Sequence, residues 1–209
     1  TAYLKVSEGC DNLCTYCAIP LIRGKLRSRP IDDIVKEAKD LEALGVKELN
    51  LIAQDTSRYG TELYGRRRMS ELLKRVAQIE GVHWVRVLYC YPDSTDDRLL
   101  DAIANLPKVA PYLDLPLQHI DDDMLRRMNR RGSSDWIKSR IEECRKRGIE
   151  RLKVLYSLEE PIAPELAPDD PMWQELPEGR NALPGSVSFV PAAAGLMIAG
   201  AVIRDITGK

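Results

Sequence analysis

Gly9-Cys10-Asp11-Asn12-Leu13-Cys14-Thr15-Tyr16-Cys17 is the stretch that decides how the rest of the chain is read. Its three cysteines stand in a C-x3-C-x2-C spacing, directly after the short apolar run Tyr3-Leu4-Lys5-Val6. A loop this short can bring three thiolates to one point and offers no fourth. Iron–sulfur clusters are held by cysteine thiolates, normally four for a [4Fe–4S] cube. Three ligands leave one iron with an open position, and an open position is where a metal centre does chemistry rather than structure. Two plainer readings stand beside this one: a zinc site of three cysteines completed by His83 or His119, or simple unpaired thiols. Spacing alone does not separate them.

Composition narrows the field. The chain has 209 residues, of which 44% are apolar and 30% charged, enough for one ordinary domain with a real core. Its net charge of −1 sets up no global field toward nucleic acid or a membrane. Five cysteines, three of them clustered, argue against a disulfide framework and for a reducing compartment, hence a cytoplasmic protein. No signal peptide opens the chain, and the most apolar segment, Val187 to Ile203, is too short and too broken by proline and glycine for a membrane span. Thr1 lies just before the first apolar run, which reads as a domain edge cut from something longer.

Strand and helix signals alternate outward from the cysteine loop. Tyr3 to Ser7 reads as a first strand. A helix opens at Ile31 behind Pro30, with Ile34, Ala38, Leu41 and Leu44 as its buried stripe and Gly45 as its stop. Glu48 to Ala53 reads as a second strand, Met69 to Ile79 as a helix, and His83 to Tyr89 as a third strand. Asp96 to Asn105 is a helix, Tyr112 to Leu115 a fourth strand, and Asp121 to Met128 and Ser134 to Arg147 two more helices. This rhythm means parallel strands joined by crossover helices, an α/β fold curving into part of a TIM-like barrel. Functional groups in such folds lie at the carboxyl ends of the strands. The cysteine loop follows strand one, Gln54 and Asp55 strand two, Tyr91 and Asp93 strand three, Gln118 and His119 strand four. All four sets therefore fall on one rim.

The flanks of the loop carry a resemblance. A C-x3-C-x-aromatic-C loop after a first strand resembles the signature of the radical SAM enzymes. Ala18-Ile19-Pro20-Leu21-Ile22-Arg23-Gly24-Lys25-Leu26-Arg27-Ser28-Arg29-Pro30, Leu51 to Gly60, Leu115-Pro116-Leu117-Gln118-His119 and Arg126-Arg127-Met128-Asn129-Arg130-Arg131-Gly132 resemble their RimO-like methylthiotransferase branch, over about residues 3–134. The resemblance implies a [4Fe–4S] cluster on Cys10, Cys14 and Cys17 with S-adenosyl-L-methionine (SAM) at its open iron. It implies an electron passed to SAM and a deoxyadenosyl radical that takes hydrogen from an unactivated carbon, here the β-carbon of an aspartate in a small-subunit ribosomal protein. It places Tyr16 against the SAM adenine, Gln54 and Asp55 at the methionyl amine, and Gln118 as a further SAM or substrate contact. A one-electron donor such as a flavodoxin or ferredoxin is implied as a partner. No side chain is singled out as a catalytic acid, base or nucleophile.

Each residue also has a plainer reading. Tyr16 serves as a core ring, Asp55 as a side-chain cap on the loop that follows it, and Gln118 and His119 as structurally bonded strand-end groups. Cys90 is a small core residue. The basic runs Arg23-Lys25-Arg27-Arg29, Arg66-Arg67-Arg68 and Arg126-Arg127-Arg130-Arg131 are solvated faces or a weak RNA-facing rim.

The tail departs from this pattern. Residues 158–184 form a Pro- and acid-rich stretch without periodicity, between expected strands at Arg151 to Ser157 and Ser186 to Val190 and before an expected helix from Ala192 to Ile206. Glu143 to Ile149, Leu152 to Ser157 and Leu183 to Leu196 resemble the carboxyl end of the TcdA family, ATP-using enzymes that cyclise threonylcarbamoyladenosine in tRNA. The chain therefore reads as a chimera, with a radical SAM partial barrel at 1–134 and a TcdA-like segment at 135–209. Two other readings stay open: a TcdA-like tRNA-modifying fragment, and an inactive chimeric scaffold.

Overall fold

The computed structural model describes residues 1–149. The expected tail strands, loop and last helix lie outside these described residues. In chain order the elements begin with strands β1 (Ala2–Lys5) and β2 (Ser7–Glu8), helix α1 (Ile19–Arg23), strand β3 (Arg27–Ser28), helix α2 (Ile31–Ala43) and strand β4 (Glu48–Ile52). A 3-10 turn (Thr56–Arg58) and helices α3 (Thr61–Tyr64) and α4 (Met69–Ala77) lead to strand β5 (Trp84–Val87). Helices α5 (Asp97–Asn105), α6 (Asp122–Arg127) and α7 (Ser134–Lys146) follow. By packing, Thr1–Cys14 and the described residues from Ala18 onward make one unit; Thr15–Cys17 fall outside it.

Strands β1, β4 and β5 form a parallel sheet in that order, with Leu4 beside Leu51 and Leu51 beside Val87. One face is apolar. Leu4, Leu49, Leu51, Val85 and Val87 are buried on it and share a core with Ile34, Val35 and Ala38 of α2, Leu72, Leu73 and Val76 of α4, and Leu99, Leu100 and Ile103 of α5. Each fully buried leucine or valine contributes about 1.5–3 kcal/mol, so this layer holds the unit together. The opposite face sets Tyr3, Asn50 and Arg86 in one row, with Arg86 Nε 2.5 Å from Glu48 Oε1. This is the α/β, parallel βα arrangement of a partial barrel expected from the sequence: helices packed on the apolar face, polar side chains on the other.

Local chemistry explains the helix limits. The Asp96 side chain accepts from Leu99 N at the start of α5, Asp121 from Asp123 N and Met124 N at α6, and Ser133 from Trp136 N at α7. Helix α2 ends one residue sooner than its apolar stripe predicts. Leu44 is its C-cap and is 82% exposed, because Gly45 at φ +89° turns the chain away and lets Val46 N reach Leu41 O. Helix α7 packs into the first unit through buried Ile137 and Cys144, and Arg140 and Arg147 reach Asp97 and Asp101 of α5.

The expected fourth strand, Tyr112 to Leu115, is not a strand among the described residues. The chain here runs beside β5 with a parallel bridge from Val109 to Val85 and a bond from Cys90 N to Asp114 O. Pro111 and Pro116 bracket it, and proline has no N–H to give to a ladder. Its inward alternation survives, with Leu113 and Leu115 buried in the core. Helices α1 and α3 and the β2–β3 pair were not expected; neither short helix buries a side chain, so no periodicity announces them.

Candidate functional site

The loop from Gly9 to Cys14 leaves the carboxyl end of the β1 side of the sheet and is closed at its base. Strand β2 pairs antiparallel with β3, bringing residues 24–26 back beside the loop. Cys10 N donates to Gly24 O at 3.0 Å, and Leu26 N to Asp11 Oδ1 at 3.0 Å. Gly9 sits at φ +78°, and a Cβ there would lie 2.1 Å from Lys25 O, so only glycine allows the strands to approach this closely. Asn12 N donates to Cys10 Sγ at 3.4 Å.

Behind the loop is a buried polar network. Asn12 Nδ2 donates to Asp55 Oδ2 at 2.8 Å, and Arg58 Nη1 donates to Asn12 Oδ1 at 3.1 Å. Ser57 Oγ donates to Asp55 Oδ1 at 2.5 Å, lies 2.7 Å from Ser94 Oγ and accepts from Tyr91 N at 3.1 Å. Asp55 is 1% exposed. Burial pushes its carboxyl above the usual range, and the bonds from Ser57 and Asn12 pull against that.

On the open side of the loop, Cys14 Sγ lies 3.3 Å from Tyr91 Oη. The Arg130 guanidinium stacks over the Tyr91 ring at 3.9 Å and donates from Nη2 to Pro116 O at 2.6 Å. Asn129, at φ +52°, donates from Nδ2 to Leu13 O at 2.6 Å. These groups and Asp93 line a small cleft of about 70 Å³. Arg130 is buried, so this part of the last basic run is not a solvated face. In the other runs Arg29 engages Glu37 and Lys5 O, and Arg68 engages Glu71 and the Tyr64 ring, while Lys25, Arg66 and Arg67 are exposed.

Gln54, past the end of β4, donates from Nε2 to Glu8 Oε1 at 3.4 Å, and its Oε1 is buried with no hydrogen-bond partner among the described residues. Glu8 also pairs with Lys5, whose bond is the main cause holding its carboxyl below the usual range. Asp55 stands one residue on but is turned into the network behind the loop. Gln118 is exposed at φ +68°, a backbone region costly for a residue with a side chain, two residues past the carbonyl that Arg130 holds. His119 accepts from Asp121 N through Nδ1 and so faces the start of α6. His83 immediately precedes β5 and is therefore at the amino-terminal end of the sheet, a whole strand from the cysteine loop, which removes it as a fourth ligand. Tyr16 and Cys17 lie in the turn Thr15–Cys17, each half-buried. Cys90 and Cys144 are core residues, as expected of Cys90.

Among the described residues no group of three His, Cys, Asp or Glu side chains stands close enough together to hold a metal ion. Metal ligands are commonly drawn together by the metal they bind, and the donor chemistry fits a cluster: thiols on one short loop, a glycine-tight base, and the unpartnered Gln54 oxygen on the same rim. Sequence reasoning missed Asn12, Ser57, Ser94, Asn129 and the role of Arg130. The contacts Asn12–Asp55, Ser57–Ser94 and Asn129–Leu13 span 43, 37 and 116 residues, and Arg130 reaches back 14 residues to Pro116, so no local pattern marks them. Among the described residues no helix is long and apolar enough to cross a membrane.

Comparison with known proteins places this geometry. A family model described as the Radical SAM superfamily matches residues 4–158. The chain is 52% identical over 146 residues to the ribosomal protein uS12 methylthiotransferase RimO of Clostridium botulinum (strain Eklund 17B / Type B), covering 70% of this chain and 33% of that one. It is 53% identical over 146 residues to the same enzyme of Clostridium perfringens (strain 13 / Type A), with the same coverage. It spans about a third of the length of these curated relatives. Among solved structures it resembles the radical S-adenosylmethionine methyltransferase TsrM from Kitasatospora setae, with a TM-score of 0.56 at 16% identity over 70% of this chain and 29% of that one. It also resembles the cobalamin-dependent S-adenosylmethionine radical enzyme OxsB, with a TM-score of 0.53 at 13% identity over 70% of this chain and 22% of that one. At these identities the two structures speak for the fold alone.

Proposed function

The chain belongs to the radical SAM superfamily, and from that premise we propose that it carries the radical SAM segment of a methylthiotransferase acting on an aspartate of a small-subunit ribosomal protein. The observation that carries this reading is the position of the C-x3-C-x2-C loop: glycine-closed at its base and set at the carboxyl rim of a parallel sheet, beside Gln54 and Tyr91. The relatives named for ribosomal protein uS12 support the substrate class.

In this reading Cys10, Cys14 and Cys17 hold a [4Fe–4S] cluster and leave one iron for SAM. When bound, cluster and SAM supply the one-electron chemistry that opens an unactivated C–H bond. The protein's part is placement. Gly9 and the β2–β3 pair fix the base of the loop. Gln54 offers its unpartnered carbonyl oxygen to the amine of SAM, Tyr16 its ring to the adenine, and Gln118 a further polar contact. Arg130, stacked on Tyr91 and tied to Pro116 O, closes the side of the cleft beside Cys14 and keeps water from it. A flavodoxin- or ferredoxin-like donor supplies the electron. Of the TcdA-like segment read from 135 onward, α7 packs with the first unit, and only the residues beyond those described are proposed as a separate module.

The test is anaerobic reconstitution of the 209-residue chain with iron and sulfide, followed by addition of SAM, dithionite and a uS12 peptide. The expected result is a brown, iron-loaded protein that cleaves SAM to deoxyadenosine. A chain that takes up zinc in preference, or stays colourless, would return the loop to its plainer readings.

A further inference from the structure

Asn12, Asp55, Ser57 and Ser94 are all buried, and of the four only Asn12 lines the cleft. Asp55 is the hub. One oxygen is taken by Ser57 and the other by Asn12, with Ser94 a longer 3.4 Å from the latter. The network therefore joins three rim segments, after β1, β4 and β5. Among the described residues it reaches the cysteines through Tyr91, whose N–H donates to Ser57 Oγ and whose hydroxyl lies 3.3 Å from Cys14 Sγ, and through Asn12, whose amide side chain is held from both sides, by Asp55 at Nδ2 and Arg58 at Oδ1. With the side chain fixed, the Asn12 backbone N–H is kept aimed at Cys10 Sγ. Hydrogen bonds to cluster sulfurs are among the factors that set an iron–sulfur reduction potential, because each draws negative charge from the sulfur.

We propose that Asp55 is a positioning residue: through Asn12 it holds a backbone N–H against the Cys10 sulfur, and thereby sets how readily the metal centre built on that sulfur accepts an electron. The inference rests on the functional reading above. It gives Asp55 a place behind the loop in place of contact with SAM.

The variants are Asn12→Ala, Asp55→Ala and the exchange Asn12→Asp with Asp55→Asn. In the exchange the new Asn amide donates to the new Asp carboxylate, Arg58 still donates to position 12, and Ser57 still donates to the oxygen at position 55. Two readouts are needed. In the ligand-free chain, the iodoacetamide alkylation rate of Cys10, followed by peptide mass spectrometry, should rise about tenfold in each single variant as the loop opens locally, and return to the wild-type rate in the exchange. In the reconstituted protein, the midpoint potential should move to more negative values in Asn12→Ala and recover in the exchange. Unchanged alkylation in both single variants would overturn the clamp. Altered alkylation with an unmoved potential would overturn its electronic role and leave a packing network only. If the wild-type chain takes up no cluster, the functional reading is what fails, and the alkylation rates still decide whether Asp55 holds the loop.

Discussion

Cys10 and Cys90 are both buried thiols, and burial does not tell them apart. Their neighbours do. Cys90 is 0% exposed and belongs to the apolar core with Val87, Leu99 and Leu113; Thr56 Oγ1, 3.2 Å away, is its polar contact. Cys10 and Cys14 are buried yet stand outside that core, among a backbone N–H, a tyrosine hydroxyl and a cation-capped ring. Core packing accepts any small apolar group at Cys90. The rim, by contrast, surrounds its sulfurs with groups that stabilise charge. Thiolates, not thiols, bind metal, so the second environment is the one suited to ligands.

The largest expected effect breaks the comparison along that line. Replacing Cys10, Cys14 or Cys17 by Ala should abolish iron uptake, because two thiolates on a short loop cannot hold the cube. Replacing Cys90 or Cys144 should leave iron content at the wild-type level. Iron and sulfide assays after reconstitution decide it, and equal loss in the Cys144 variant would reveal a fourth protein ligand.

A smaller effect tests the frame around the sulfurs. Gly9→Ala puts a methyl into Lys25 O at a positive φ, with about 1–3 kcal/mol of backbone strain, and should displace the loop enough to lower iron uptake. Gly45→Ala has the same kind of backbone, φ +89°, but meets nothing within 4 Å. It should cost only about 1 kcal/mol in urea unfolding and leave iron uptake intact. Equal iron content in the two variants would mean that the tight approach at Gly9 does not shape the site.

The same contrast explains what could be read in advance. Helices α2, α4 and α5 and strands β4 and β5 carry their periodicity openly, since each presents an apolar stripe to one core. The cysteine spacing is local, so it too was legible. The strand expected at Tyr112 to Leu115 failed because its alternation is real but its flanking prolines deny it a ladder. Leu44 failed because a helix end turns its side chains off the stripe. The network on Asp55 was invisible for another reason: Asn12 and Ser94 lie 43 and 39 residues from it and meet only after the parallel strands align. The sequence reads Asp55 equally as a cap on the following loop. It caps nothing by itself; Ser57 turns back to it, and its other oxygen serves the cysteine loop.

The smallest effect concerns Cys90 alone and sharpens the core side of the comparison. Truncating it to Ala removes one buried sulfur, a loss of about 1 kcal/mol at neutral pH if it follows other small core truncations. That gap should not be constant with pH. Burial pushes the Cys90 thiol from 9.0 up to about 12. A weak acid held neutral in the folded state keeps its proton while the unfolded chain gives it up. Between these two values the unfolded state binds fewer protons, so stability falls as pH rises. The thiol's contribution is whole below pH 9 and is lost toward pH 12, at up to about 1.4 kcal/mol per pH unit. Tyr59, pushed upward mainly by burial from 10.0, acts with the same sign but from a higher starting pH. Ala at position 90 has nothing to titrate. Urea midpoints measured from pH 7 to pH 10 should therefore show wild type ahead at first, with the difference narrowing once the pH passes 9 and before Tyr59 contributes. A difference that stays level across that range would mean the thiol titrates alike in both states, and Cys90 would then not be the sealed core residue that separates it from Cys10.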